Sequence, residues 1–258
     1  MTIGIRGKGL IGGSFEKAFA ATGHEVIDLK GASRETIGRC GLVVICLPPL
    51  MVAPWVKEHA DDFAPGTIVT DAAGVKGVVT AELAATVEGA RWTFIGGHPM
   101  AGKERSGYAN SDGGLFRGAS MILTPFEGTD PAAIAKLKEL MLSIGFGRIV
   151  ETTPAHHDEM IAYTSQLAHV VSSAYVRDAL SASHAGYSAG SYQDMTRVAT
   201  VDPDIWTNLF LANRTSLDAV LTRLVDRLSE YRDAIRASDA VRLHDLLDEG
   251  HKMKDIAR

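Results

Sequence analysis

Thr2-Ile3-Gly4-Ile5-Arg6-Gly7-Lys8-Gly9-Leu10-Ile11-Gly12-Gly13-Ser14 decides the fold. Thr2–Arg6 is a short apolar strand, and Leu10 onward is an amphipathic helix with Phe15, Ala18, Phe19 and Thr22 at helical spacing. Between them lies a G-x-G-x-x-G turn, Gly7 to Gly12. Alone that pattern is weak, but between a strand and a helix it has the context that makes it a dinucleotide-binding turn. Gly7 makes the tight bend, Gly9 admits a pyrophosphate to the backbone, and Gly12 lets helix and strand approach. The amide groups opening the helix at Leu10 and Ile11 then face the phosphates. Ser14 adds a hydroxyl for one further contact.

Downstream the same alternation repeats. Strands are predicted at Glu25–Leu29, Gly41–Leu47, Thr67–Thr70, Trp92–Ile95, Ser120–Thr124 and Arg148–Glu151. Asp130-Pro131 is a helix start, with Asp as cap and Pro at the first helical position. The expectation is an α/β Rossmann-type, doubly wound parallel sheet. Its Leu47-Pro48 turn, after the third strand, belongs to the cofactor face. From Thr153-Pro154 onward strand signals cease. One long helix is predicted over His157–Ala182 and another of roughly 45 Å over 206–235. Residues 1–152 thus form a dinucleotide-binding domain, and residues 153–258 an all-α domain. The apolar stripe of the long helix is expected to pack against a second subunit, giving a homodimer.

Composition excludes much else. The 258 residues are 46% hydrophobic, with 26 Lys+Arg against 31 Asp+Glu, so no basic footprint for nucleic acid is present. Cys40 and Cys46 lie in one apolar run, which excludes a disulfide framework. That run is broken by Pro48, Pro49 and Pro54 and does not read as a membrane span. Met1–Arg6 is too short for a signal peptide, so a cytoplasmic location is expected. His156-His157-Asp158-Glu159 opens a helix, where acidic residues favour the dipole, and no metal site is expected there.

The choice of dinucleotide turns on the tip of the second strand. Asp28 stands about 20 positions after the turn, where a carboxylate would take the ribose 2′-hydroxyl of NAD. If the strand runs through Leu29, Lys30 occupies the tip instead. Lys30, Ser33 and Arg34 together suit a 2′-phosphate and tip the expectation toward NADP.

A second constellation is Gly96-Gly97-His98-Pro99-Met100-Ala101-Gly102-Lys103-Glu104-Arg105-Ser106-Gly107. It follows a strand, so it sits at a carboxyl end of the sheet, where ligands bind in such folds. Its glycines are expected to leave ligand space, and His98 has the chemistry of a general base. This stretch resembles the prephenate dehydrogenase family, whose pattern is roughly G-G-H-P-[MI]-A-G-x-E-x-S-G. The resemblance extends to Gly7–Ser14 and Leu47-Pro48-Pro49. In the helical half it extends to Tyr192-Gln193-Asp194-Met195-Thr196-Arg197-Val198-Ala199 and Asp202-Pro203-Asp204-Ile205-Trp206.

The resemblance implies oxidative decarboxylation of prephenate to 4-hydroxyphenylpyruvate, or of arogenate to tyrosine, with hydride transfer to NAD(P) in tyrosine biosynthesis. It implies that His98 takes the ring hydroxyl proton and that Arg197 binds a substrate carboxylate. Asp194 and Glu104 match charged positions that frame the site. Two departures stand out. The family's D-x-x-S-V-K is Asp71-Ala72-Ala73-Gly74-Val75-Lys76 here, so Gly74 removes a hydroxyl near His98, for which a water or Ser106 is a candidate substitute. The family's S-H-L-P-H is Ser165-Gln166-Leu167-Ala168-His169, which keeps His169 but places Gln166 where a histidine meets the substrate side chain. Competing readings are a 3-hydroxyacid dehydrogenase, whose catalytic-lysine motif is not evident, and a dinucleotide-binding regulatory protein that lost its chemistry at Gly74.

Overall fold

The computed structural model describes residues 1–103 and 105–256. They divide into two compact units. The first is Met1–Ile161 with Val201–Asn213, and the second is Ala162–Thr200 with Arg214–Arg258.

The first unit is built on a seven-stranded sheet. Its strands are β1 (Thr2–Arg6), β2 (Glu25–Asp28), β3 (Leu42–Ile45), β4 (Ile68–Asp71), β5 (Thr93–Pro99), β6 (Ser120–Pro125) and β7 (Arg148–Glu151), in the spatial order β2-β1-β3-β4-β5-β6-β7. The helices that cross between strands are α1 (Leu10–Ala21), α2 (Arg34–Gly38), α3 (Pro49–Glu58), α4 (Gly77–Val87) and α5 (Pro131–Ser143). Strands β3 and β4 are buried along their whole length, β3 as an uncharged run covered on both faces and β4 with its one charge, Asp71, at its carboxyl end. One core face carries Phe15, Phe116 and Phe146, with ring centroids 4.3 and 4.8 Å apart in sequence of contact. Each such ring contributes about 1.5–3 kcal/mol by burial.

The sheet departs from the expected all-parallel arrangement at one pair. β5 and β6 are antiparallel, with His98 opposite Ile122. Among the described residues of 100–119 there is only a short 3-10 turn, Tyr108–Asn110, and no crossover helix, so the chain folds back beside β5. β5 also runs on to Pro99, beyond the expected end at Ile95, so His98 sits in the strand rather than in a loop after it.

The helices correct two further expectations. The single helix predicted over 157–182 is α6 (Pro154–Ile161), a π turn (Ala162–Gln166), α7 (Leu167–Val176) and a 3-10 turn (Ala179–Ser183). After α8 (Gly190–Thr196), the predicted long helix breaks at Asn213 into α9 (Pro203–Ala212) and α10 (Arg214–Arg236). Asn213 has non-helical φ −116° and ψ 26°, and its buried side chain donates to the Asp158 carbonyl at 2.8 Å. The longest helix is therefore about 35 Å. Last comes α11 (Ala240–Ile256), which packs on α10 through a Tyr231 hydroxyl bond to the Leu246 carbonyl at 3.0 Å. The proline-led start at Asp130-Pro131 holds, with Asp130 capping Ala132, and Asp202 before Pro203 caps Asp204 and Ile205 in the same way. Among the described residues no helix is long and apolar enough to cross a membrane.

Candidate active site

The turn after β1 has the geometry its glycines require. Gly7 has φ +101°, and a Cβ there would lie 2.4 Å from the Cys46 carbonyl oxygen. A Cβ on Gly12 would lie 1.8 Å from the Gly7 carbonyl oxygen. A Cβ on Gly9 would meet nothing within 4 Å, so its open side is left for a ligand. Gly9 caps α1, and the first turn, with Leu10 and Ile11, holds no acidic residue to offset the dipole. Leu47 packs 3.3 Å from the position of a Gly7 Cβ, and Pro48 caps α3. These features fit a dinucleotide pyrophosphate.

Ser14 does not join them. It is fully buried, its hydroxyl donates to the Leu10 carbonyl at 2.8 Å, and it accepts the Asp112 amide at 3.0 Å. The helix has turned its side chain inward by that point.

At the tip of β2 the residues separate by task. The ladder continues one residue past Asp28, with the Leu29 amide donating to the Ile5 carbonyl at 2.9 Å, so exposed Lys30 follows directly. Asp28 accepts the Lys30 amide at 2.9 Å and lies 3.8 Å from the Lys8 ammonium. Ser33 caps α2, and Arg34 donates to the Asp61 carbonyl at 2.9 Å.

His98 anchors the second part of the site. Its Nδ1 lies 2.9 Å from His157 Nε2, and His157 Nδ1 lies 2.7 Å from Asp158 Oδ1. Asp158 accepts the backbone amides of Lys76 at 2.7 Å and Gly77 at 2.8 Å. A Cβ on Gly77 would lie 2.9 Å from that carboxylate, so glycine leaves the approach open. The Cε1–Nε2 edge of His98 faces Gly74, 3.9 Å from where its Cβ would be. Burial, the adjacent His157 and the Lys76 charge hold the His98 imidazole well below its ordinary range.

Beneath the ring, the Lys76 side chain is wholly buried. Its ammonium donates to Asp71 and to the Gly97 carbonyl, the latter at 2.6 Å. Asp71 in turn accepts the amides of Gly97 and Ala73, both at 3.0 Å. Burial pulls the lysine down from its usual range, and Asp71 opposes that shift. Gly96 and Gly97 do not open ligand space, contrary to expectation. Their Cβ positions would fall 2.3 Å from Thr124 Oγ1 and 2.5 Å from the Asp71 carbonyl oxygen. They permit close strand packing around the lysine.

The sequence reading missed His157, Asp158, Lys76 and Asp71 as members of this cluster. Asp158 was assigned to a helix dipole, yet it is buried and holds two amides from 82 and 81 residues away. The available signal was a charged pair at the carboxyl end of a buried strand, Asp71 closing β4 and Lys76 five residues on.

The remaining expected residues lie elsewhere. Ser106 is exposed, and its carbonyl accepts the Asn110 side-chain Nδ2 at 2.6 Å. Glu104 lies outside the described residues. In the second unit, His169 Nδ1 bonds the Val198 carbonyl at 2.9 Å, which brings α7 to the end of α8, where exposed Arg197 caps the helix. Asp194 is exposed on α8, and Gln166 is buried in the π turn.

Two family models match in tandem. Residues 6–151 match the nucleotide-binding domain of prephenate dehydrogenase, and residues 153–249 match its dimerisation domain. The chain belongs to the prephenate dehydrogenase family. It is similar to a cyclohexadienyl dehydrogenase of Zymomonas mobilis, at 31% identity over 88% of this chain and 77% of that protein. It is also similar to a prephenate dehydrogenase of Bacillus subtilis, at 29% identity over 94% of this chain and 70% of that protein. The solved structure of Synechocystis arogenate dehydrogenase superposes with TM-score 0.86 at 26% identity, covering all of both chains. The protein is therefore a nicotinamide-dinucleotide-dependent oxidoreductase of the prephenate and arogenate dehydrogenase type, which belongs to tyrosine biosynthesis.

Proposed function

We propose that this enzyme oxidatively decarboxylates prephenate or arogenate with His98 as general base and NADP as the preferred acceptor. The observation that carries the catalytic part is the Nε2 edge of half-buried His98, turned toward Gly74 at the carboxyl end of the sheet, on an imidazole whose surroundings favour its neutral form. A neutral imidazole can accept the proton of the ring hydroxyl as the carbinol carbon becomes a carbonyl. The bond to the ring carboxylate then breaks, its electrons complete the aromatic ring, and CO2 leaves. When bound, the dinucleotide supplies the acceptor for the carbinol hydride. Gly7, Gly9, Gly12 and the first turn of α1 hold its pyrophosphate, beside Leu47 and Pro48.

Arg197 binds a substrate carboxylate with its planar fork, and His169, Gln166 and Asp194 complete the polar surroundings. The NADP preference is supported by Lys30, which follows the last ladder bond and forms no ion pair among the described residues. Ser33 adds a hydroxyl there. Arg34 is already drawn toward Asp61 and Asp62 and contributes less. Exposed Leu228, Ile235, Val241 and Leu247 on α10 and α11 support a homodimer through the helical part.

The test is a two-by-two assay of prephenate and arogenate with NADP and NAD. Turnover of at least one substrate, faster with NADP, is the expected result. No reduced dinucleotide from either substrate contradicts the proposal.

A further inference from the structure

The bond between His98 and His157 contains one proton, and its direction is set from the far end. Asp158 Oδ1 and Oδ2 accept the amides of Lys76 and Gly77, which donate only. The carboxylate therefore accepts from His157 Nδ1 as well, at 2.7 Å. A neutral imidazole that donates through Nδ1 has only a lone pair on Nε2. His157 Nε2 then accepts from His98 Nδ1, at 2.9 Å. With His157 neutral, the proton of His98 therefore falls on Nδ1, and its Nε2, facing Gly74, is bare.

We propose that His157, held by Asp158, is a positioning residue that keeps His98 in the tautomer with a bare Nε2 and fixes the plane of its ring. This rests on the reading of His98 as the base. The anchoring is unusually complete. The His157 side chain is fully buried, and its ring meets that of His98 at 60° with centroids 5.1 Å apart. The Asp158 carbonyl is held by Asn213 at 2.8 Å. Lys76 fastens both ends, because its amide holds Asp158 while its ammonium holds Gly97, the residue before His98. The charged and titratable groups facing the pair are Asp158, Lys76 and Asp71; Leu209, on α9, lies 3.5 Å from where a Cβ on Gly74 would be. Without His157, nothing in this chain of bonds dictates which ring nitrogen of His98 carries the proton. The wrong tautomer offers the substrate a donor where it needs an acceptor, a fault that costs orders of magnitude in turnover elsewhere.

Two measurements test this. Long-range proton–nitrogen NMR on the full chain with nitrogen-15 imidazoles, assigned against His98→Asn, reads the tautomer directly near neutral pH. The proposal expects the His98 proton on Nδ1; a proton on Nε2 overturns it. Kinetics then compare His157→Leu, which removes the acceptor, with His157→Gln, whose amide oxygen can still accept from Nδ1. His157→Leu should lose at least about tenfold in kcat, with KM and dinucleotide affinity within about twofold, and His157→Gln should recover part of the loss. A His157→Leu enzyme with wild-type kcat overturns the proposal. If that variant does not fold, the wild-type NMR result decides. A His98→Asn enzyme that remains active refutes the base assignment itself; an inactive one beside a wild-type-like His157→Leu refutes only the positioning role.

Discussion

Lys76 and Asp158 are 82 residues apart in the chain and 2.7 Å apart in the fold, joined by a backbone amide and a carboxylate oxygen. That bond ties the loop after β4 to helix α6, and through His157 it reaches the ring of His98. The same lysine closes the frame from below through Asp71 and Gly97.

Removing the lysine charge leaves Asp71 buried and uncompensated. Breaking a buried pair by deleting one partner costs about 3–5 kcal/mol. Lys76→Met should lower the unfolding free energy by about that amount in denaturant titrations. A loss under about 1 kcal/mol would show that the pair contributes little to holding β4 against β5.

Gly74 leaves the Nε2 side of His98 uncovered. Its Cβ position meets Leu209 at 3.5 Å and His98 at 3.9 Å, which are ordinary contacts, and its backbone does not need glycine. A serine there would fit without strain, and its hydroxyl could stand between substrate and Nε2, accepting the ring hydroxyl proton while passing its own to the bare Nε2. Gly74→Ser should raise kcat/KM by roughly three- to tenfold, the scale of about one added hydrogen bond. Unchanged or lower activity in a stable variant contradicts that view.

The pH dependence has a definite sign. His98 is held well below the ordinary imidazole value of 6.5, first by burial, then by His157 and Lys76. Below about pH 6.5 the unfolded chain therefore binds a proton that the folded chain does not, and stability falls as pH drops toward the folded value. The slope from this group reaches about 1.4 kcal/mol per pH unit, and His98→Asn should flatten it. Catalysis follows the same shift: the acid limb of kcat/KM for the wild type should lie below pH 6.5. A limb above that value contradicts the assigned environment.

Cofactor choice turns on one side chain. Replacing Lys30 by Asp removes the cation at the end of β2 and adds a charge that repels a 2′-phosphate. The ratio of kcat/KM for NADP over NAD should fall by at least about tenfold, or about 1.4 kcal/mol. An unchanged ratio would move the discrimination away from the β2 tip.

Sequence and structure agree where a signal is local. The glycine turn, the buried strands and the Asp-Pro helix starts depend on neighbouring residues, and they stand as read. The antiparallel β6 was hidden because nothing within Ser120–Pro125 records the direction in which it pairs. The break at Asn213 was hidden because the apolar spacing continues through it, while its cause is a bond to the carbonyl of Asp158. His157 and Asp158 were hidden for the same reason: next to each other they resemble a polar helix start, and only the distant amides of Lys76 and Gly77 give them their task.

The central claim is that His98 is the base of a decarboxylating dehydrogenation. Its most direct test is steady-state turnover of prephenate and of arogenate by wild type and His98→Asn, with dinucleotide affinity measured alongside. The account predicts that His98→Asn binds dinucleotide normally and loses about 10²- to 10⁴-fold in kcat. A variant that turns over within a few-fold of wild type would contradict it.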